Sequence, residues 1–159
     1  MEIYAMPGHL IRRLNQISVG LFGERMAAAG LTLTPVQYAT LSGIHSNPGV
    51  DQATLAGLVA YDRATLGKVI DRLEARALVT RATSAKDRRA KTLTLTQAGL
   101  DLLEVADPHV RNLQPDILSG LNGEERAVFL AMLTKITLAG NDRSRAPLIP
   151  QPDQPGRRP

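Results

Sequence analysis

Ten residues between positions 63 and 91 carry the chemistry legible in this chain. Arg63, Ala64, Thr65, Lys68 and Arg72 fall in one helix-patterned segment, and Lys86, Asp87, Arg88, Arg89 and Lys91 fall in the hairpin that follows it. Residues 62–92 hold nine Lys/Arg against four Asp/Glu, while the whole 159-residue chain nets only +4, so the remainder is slightly acidic. Positive charge gathered in one segment is the footprint of a surface that meets a polyanion. Scattered, the same charges would be a solvated face; on a helix followed at once by a hairpin they form a unit sized for a duplex groove.

The types suit that partner individually. At the start of a helix directed into a major groove, Arg63 can pair with guanine, Thr65 can bond a base or a phosphate, and Ala64 can touch a thymine methyl. Lys68 and Arg72, one and two turns on, suit the phosphate backbone. Their alternative is pairing along the helix with acids such as Asp71. At the hairpin tip, Arg88 or Arg89 can enter a minor groove, with Asp87 orienting the other by a bidentate pair; the two roles are interchangeable on sequence alone. Lys86 and Lys91 flank that tip.

Six helices and one hairpin must position these residues. The first helix covers about residues 9–29 and stops at Gly30, with Leu10, Leu14, Ile17 and Leu21 on one stripe that Ile11, Ser18 and Phe22 widen. Thr34 caps the second, with Pro35 at its first position and Gln37 completing a capping box; Asn47-Pro48-Gly49 ends it. Asp51 caps a short helix to about Val59, and Asp62 caps the next to about Ala77. Those two make a helix-turn-helix, with Leu55, Leu58 and Val59 facing Leu66, Val69, Ile70 and Leu73. Gly57 and Gly67 lower helix propensity, which predicts close backbone approach at both, between helices or to DNA. Strands are predicted at 78–82 and 92–95, where Leu93 and Leu95 alternate with threonines. Thr96 caps a fifth helix to about Ser119, in which Pro108 and Pro115 should produce a kink or a break. Asn122 and Glu125 open a sixth, to about Leu138. The predicted class is mainly α with a small β-hairpin wing. Its divisions are an N-terminal dimerisation helix over 1–33, a winged helix-turn-helix over 34–96, C-terminal dimerisation helices over 97–142, and a flexible Pro/Arg-rich tail over 143–159. The tail holds five of the ten prolines. Its Arg143, Arg145, Arg157 and Arg158 can brush DNA, though an inert terminus is the simpler reading.

Composition removes several classes. There is no cysteine, hence no disulfide, Cys-zinc site or thiol sensor. Aromatic residues are 3% with no Trp, which leaves little for base stacking on single strands and favours duplex DNA. No apolar run approaches a membrane span, and the N-terminus lacks a secretory pattern, so a cytoplasmic, nucleoid-associated protein is expected. His9, His45 and His109 lie on three different helices without metal spacing. P-loop, dinucleotide and nucleophile-elbow motifs are absent, so neither an enzyme nor a cofactor is expected.

The segment DRATLGKVIDRLEARALVTR, the wing KDRRAKTLTLT and the following Thr96-Gln97-Ala98-Gly99, an LT-x-x-G pattern, resemble the MarR family of bacterial regulators over about residues 9–140. The resemblance implies a homodimer built on the first, fifth and sixth helices, a pseudo-palindromic operator, repression, and release by a small aromatic acid or phenol. The opening YAMPGHLIRRL is similar to members governing aromatic-acid catabolism, including those answering to hydroxynicotinate. Apolar content argues independently for a dimer: Leu100, Val105, Val128, Leu130, Ile136 and Leu138, among others, exceed what a small winged domain can cover. For the effector, His9, Arg13, Gln16 and Gly20 line one edge of the first helix, and Arg13 stands one turn beyond His9. With Tyr38 they would suit an aromatic carboxylate, and His45 is a further candidate. The competing assignment pairs Arg13 with an acid at the subunit interface and leaves His9 as a capping or surface residue. The alternative to a DNA-binding regulator is a winged-helix module that uses its basic face on acidic proteins.

Overall fold

A computed structural model of the chain describes residues 1–83 and 91–150. Helix formation follows the capping chemistry. After a short 3-10 turn, Glu2–Ala5, α1 spans Pro7–Ala28, two residues ahead of the predicted start. α2 spans Pro35–Ser46; the Thr34 side chain accepts the Gln37 amide while Gln37 returns to the Thr34 amide, so the predicted capping box is in place. α3 covers Gln52–Leu58 and α4 covers Arg63–Ala75, capped by Asp51 and Asp62 respectively. α5 spans Gln97–Ile117 from a Thr96 cap, and α6 spans Gly123–Ala139 from the Asn122–Glu125 box.

The sheet departs from the predicted two-stranded hairpin. β2 (Val79–Thr83) pairs antiparallel with β3 (Lys91–Leu95), and β1 (Val50–Asp51) joins the other edge of β3 with Val50 opposite Leu93. Gly49 makes this possible: at φ +82° it adopts a backbone that L side chains rarely reach, and it donates its amide to Leu93. Two residues carry no periodicity, so no alternation announces this strand.

The predicted interior of the helix-turn-helix is confirmed. Leu55 packs with Leu66, Val69, Ile70 and Leu73 in a core shared with Leu41, Ile44, Val79 and Leu93; Leu58 and Val59 lie half-buried at its edge. Ala60 turns the chain between α3 and α4 at φ +52°. α5 is continuous through Pro108 and Pro115, so neither proline breaks it. Leu103, Ala106, Val110 and Leu113 bury one stripe of it, and an Arg25–Asp116 ion pair of 2.7 Å ties it to α1. That burial offsets the ~3 kcal/mol an interior proline costs.

The α1 stripe is only partly used by its own chain. Phe22 and Met26 are buried, but Leu10, Ile11 and Ile17 stay about half exposed, and α6 has no buried residue while Ile136 and Leu138 are more than 60% exposed. The described tail is not free, in contrast to the flexible segment expected from 143. Asn141 hydrogen-bonds both the amide and the carbonyl of Leu148, and Ile149 donates its amide to Gly57 of α3.

The Asp51 cap yields a pH prediction. Burial alone would raise its pKa, but the Thr54 hydroxyl and the amides of Thr54 and Ala53 outweigh this and hold the carboxyl below its ordinary value. A carboxylate depressed by folding contributes stability above its unfolded pKa and loses it as pH falls through the folded value. Asp51→Ala should therefore cost about 1 kcal/mol at neutral pH. The gap between it and the parent should close as thermal melts are repeated down to strongly acidic pH; a gap that stays constant would remove the cap from this role.

Candidate nucleic-acid interface

α4 sorts its residues cleanly. Leu66, Val69, Ile70 and Leu73 face the core, while Arg63, Ala64, Thr65, Lys68 and Arg72 are all exposed. Asp62 accepts the Thr65 amide at 2.9 Å, which fixes the first turn that presents Arg63. Its carboxyl is held below the usual carboxylate value, first by the Thr65 side chain, next by the Thr65 amide, and further by the charge of Arg145. Gly67 faces Gln52, whose side-chain nitrogen would lie 3.1 Å from an added Cβ. The neighbour of Gly67 is thus the tip of a side chain on α3 and not the helix backbone, so the close backbone approach expected there between the helices is not made. Gly57 instead meets Ile149, a contact the sequence did not announce.

The alternative pairing of Lys68 with Asp71 is not made. Arg81 of β2 takes Asp71 at 2.5 Å and Glu74 at 2.9 Å, with only 23% of its side chain exposed. Arg81, one of the nine cations counted over 62–92, is therefore engaged within the fold. It locks the wing strand to α4 and neutralises the two acids on that helix's outer side. Arg76 bonds the Thr32 carbonyl, and Lys91 bonds Thr83 across the base of the hairpin. Lys86, Asp87, Arg88 and Arg89 lie outside the described residues. Arg81→Ala should weaken duplex binding about 3- to 10-fold by exposing two anions beside the cationic row. Anisotropy titration of a labelled duplex measures this, and unchanged affinity would deny the neutralising role.

Of the predicted effector residues, His9, Arg13 and Gln16 share one side of α1, and Tyr38 stands apart from them. Tyr38 packs beside Phe22, with ring centroids 6.3 Å apart, and donates its hydroxyl to Asp107 at 2.8 Å. Phe22 is thirteen residues along α1 from His9, a rise of roughly 20 Å at 1.5 Å per residue. Desolvation, then the hydrogen bond to Asp107, push the Tyr38 pKa up to about 12. Gln16 is engaged by Arg12 at 2.8 Å. Arg13 is exposed; among the described residues His9 holds a buried Nε2 without a partner and meets the Tyr4 ring edge-on at 5.7 Å. Tyr4 precedes the helical pattern, so periodicity does not place it beside His9. A cavity of about 680 Å³ opens on the opposite face of α1, between Ile11, Leu14, Pro115, Arg126, Phe129 and Leu133.

A packed helix-turn-helix with an exposed cationic row and an adjoining three-stranded wing defines a winged-helix DNA-binding protein. The MarR family model matches residues 29–90. The HTH-type transcriptional repressor NicR of Pseudomonas putida is 33% identical over 135 residues, covering 85% of this chain and 84% of NicR. BpsR of Bordetella bronchiseptica, whose DNA binding is regulated by 6-hydroxynicotinic acid, is 31% identical; its structure superposes with a TM-score of 0.74, covering 82% of this chain and 97% of BpsR. CouR, a transcriptional repressor solved on a 23-mer DNA duplex, is also 31% identical, with a TM-score of 0.76 over 86% of this chain and 95% of CouR. The chain belongs to the MarR family of transcriptional regulators. These relatives are regulators and not enzymes. No helix of the described residues is long and apolar enough to cross a membrane.

Proposed function

We propose that the chain is a homodimeric repressor that binds a pseudo-palindromic duplex operator and is released by a small aromatic acid of the hydroxynicotinate kind. The observation that carries the DNA reading is the split of α4 into a fully buried apolar side and an exposed row of Arg63, Ala64, Thr65, Lys68 and Arg72. The wing residues Lys86, Asp87, Arg88, Arg89 and Lys91 extend it, one arginine entering the minor groove. The half-exposed apolar residues of α1 and α6, and the apolar cavity between α1, α5 and α6, are where a second copy would bury its own helices. A two-fold axis there sets two α4 helices one DNA turn, or a multiple of it, apart.

The effector reading rests on the N-terminal turn of α1. Arg13 supplies the carboxylate partner and the Tyr4–His9 ring pair an aromatic edge, with His9 Nε2 as a further polar contact. Gln16, one turn beyond Arg13 on α1, can join such a site from the same chain, whereas Tyr38 would reach it only from a second copy. The test is selection of duplexes from a random library, then titration at rising potassium chloride and in the presence of aromatic acids. Steep salt dependence with a palindromic consensus is the expected result; equal affinity for all duplexes would favour the protein-binding alternative. Arg13→Ala should bind the selected duplex as the parent does and require at least tenfold more aromatic acid for release. Release at the parent's concentration would remove Arg13 from the effector site.

A further inference from the structure

The chain beyond α6 forms a strap that returns to the helix-turn-helix. Gly140 ends α6, a 3-10 turn follows at Asn141–Arg143, and Ser144 bonds the Ala146 amide. The Asn141 side chain then donates to the Leu148 carbonyl at 3.0 Å and accepts the Leu148 amide at 2.8 Å, closing residues 141–148 into a loop held at its neck. The loop is anchored on α3, where Ile149 donates to the Gly57 carbonyl at 2.9 Å. Ile149 also lies so near Gly57 that an added Cβ would come within 3.0 Å of it. A charged residue within this closed loop has its place set by two separate attachments, one to the end of α6 and one to α3.

Arg145 is that residue. It is exposed and makes no ion pair among the described residues, and its neighbours Ser144 and Ala146 line one cavity with Ala60, in the turn that leads into Asp62, the cap of α4. Asp62 is an anion at the very end of α4 that a DNA backbone would approach, and by itself it repels phosphate. A guanidinium carried on a loop held at this turn offsets that charge and adds a donor at the same end of the interface. We infer that the strap is a second phosphate-binding element of the interface, with Asn141 and Ile149 as positioning residues and Arg145 as the contact. This rests on the DNA reading above, and it turns a segment with the composition of an inert tail into part of the binding surface.

The experiment uses the full chain and a palindromic duplex selected by it. For a dimer, losing Arg145 removes two phosphate contacts, so Arg145→Gln should flatten the slope of log affinity against log salt by about 2. It should also weaken binding about 10-fold at moderate salt. Arg145→Lys should restore most of the slope. Asn141→Ala keeps every cation but frees the loop, and should lose part of the same slope. Combined with Arg145→Gln it should add nothing. A parent that binds steeply with salt while Arg145→Gln keeps its slope overturns the strap inference alone, as does additivity of the two substitutions. A parent that ignores all duplexes overturns the DNA reading and this inference together. Size-exclusion and thermal melts of each variant confirm that the comparison is between folded proteins of one oligomeric state.

Discussion

Gly99→Ala should lower the stability of the chain by roughly 3 kcal/mol or more, the largest loss expected from any single methyl addition here. Gly99 opens α5 while packed directly on the backbone of Leu78; an added Cβ would overlap the Leu78 carbonyl oxygen far inside van der Waals contact. Neither side can yield. The Leu78 carbonyl accepts the Thr96 amide at 3.1 Å, Thr96 Oγ1 donates to the Ala77 carbonyl at 2.7 Å, and the Gly99 amide donates to that same Oγ1. The obstacle is main chain, so no rotamer change relieves it. This junction also gives the LT-x-x-G pattern a physical meaning: threonine caps α5 and clasps the end of α4, and glycine lets α5 lie against the start of β2. Denaturant unfolding of Gly99→Ala and Gly23→Ala checks it. Gly23 sits inside α1 where an added Cβ meets nothing within 4 Å, so that substitution should gain about 0.5–1 kcal/mol. Equal midpoints for the two variants would show that the junction tolerates a side chain.

What could be read from the sequence was local. Thr34–Gln37 and Asn122–Glu125 are self-contained chemical signals, since a side chain three residues away satisfies the orphan amides of a helix start. The α4 periodicity is equally local, and it placed both the buried side and the exposed cations. What escaped depends on partners distant in sequence. Arg81 looks like one more cation until Asp71 and Glu74, ten and seven residues earlier, take it. β1 is a strand only because β3 runs beside it. Pro108 and Pro115 are tolerated because α5 is packed along one side, a tertiary gain that propensity does not contain. Residue type alone suggests Tyr38 as an effector contact, but does not reveal that its hydroxyl serves Asp107, sixty-nine residues away. The strap escaped for the same reason: proline-rich composition argues for freedom, and only the amide-to-carbonyl bond onto Gly57 argues otherwise.

Arg63→Ala should erase most of the preference for the selected duplex over a scrambled one, by about 1–3 kcal/mol at the guanine it pairs. It should lower the salt slope little. Lys68→Ala with Arg72→Ala should do the opposite, weakening binding to both duplexes alike and flattening the slope by up to about 4 for a dimer. The distinction follows from position on one rigid helix. Arg63 is the first residue of α4, where a helix entering a groove end-on meets base edges, and the cap by Asp62 fixes its backbone. Lys68 and Arg72 stand five and nine residues further, roughly 8 and 14 Å along the axis, where the groove walls are phosphate. Arg81 keeps Asp71 from pairing with Lys68, so the lysine is available to DNA. Competition binding at two salt concentrations separates the cases. If Arg63→Ala weakens the selected and scrambled duplexes equally, Arg63 is a backbone contact, and base reading belongs to the remaining residues of the first turn or to the wing.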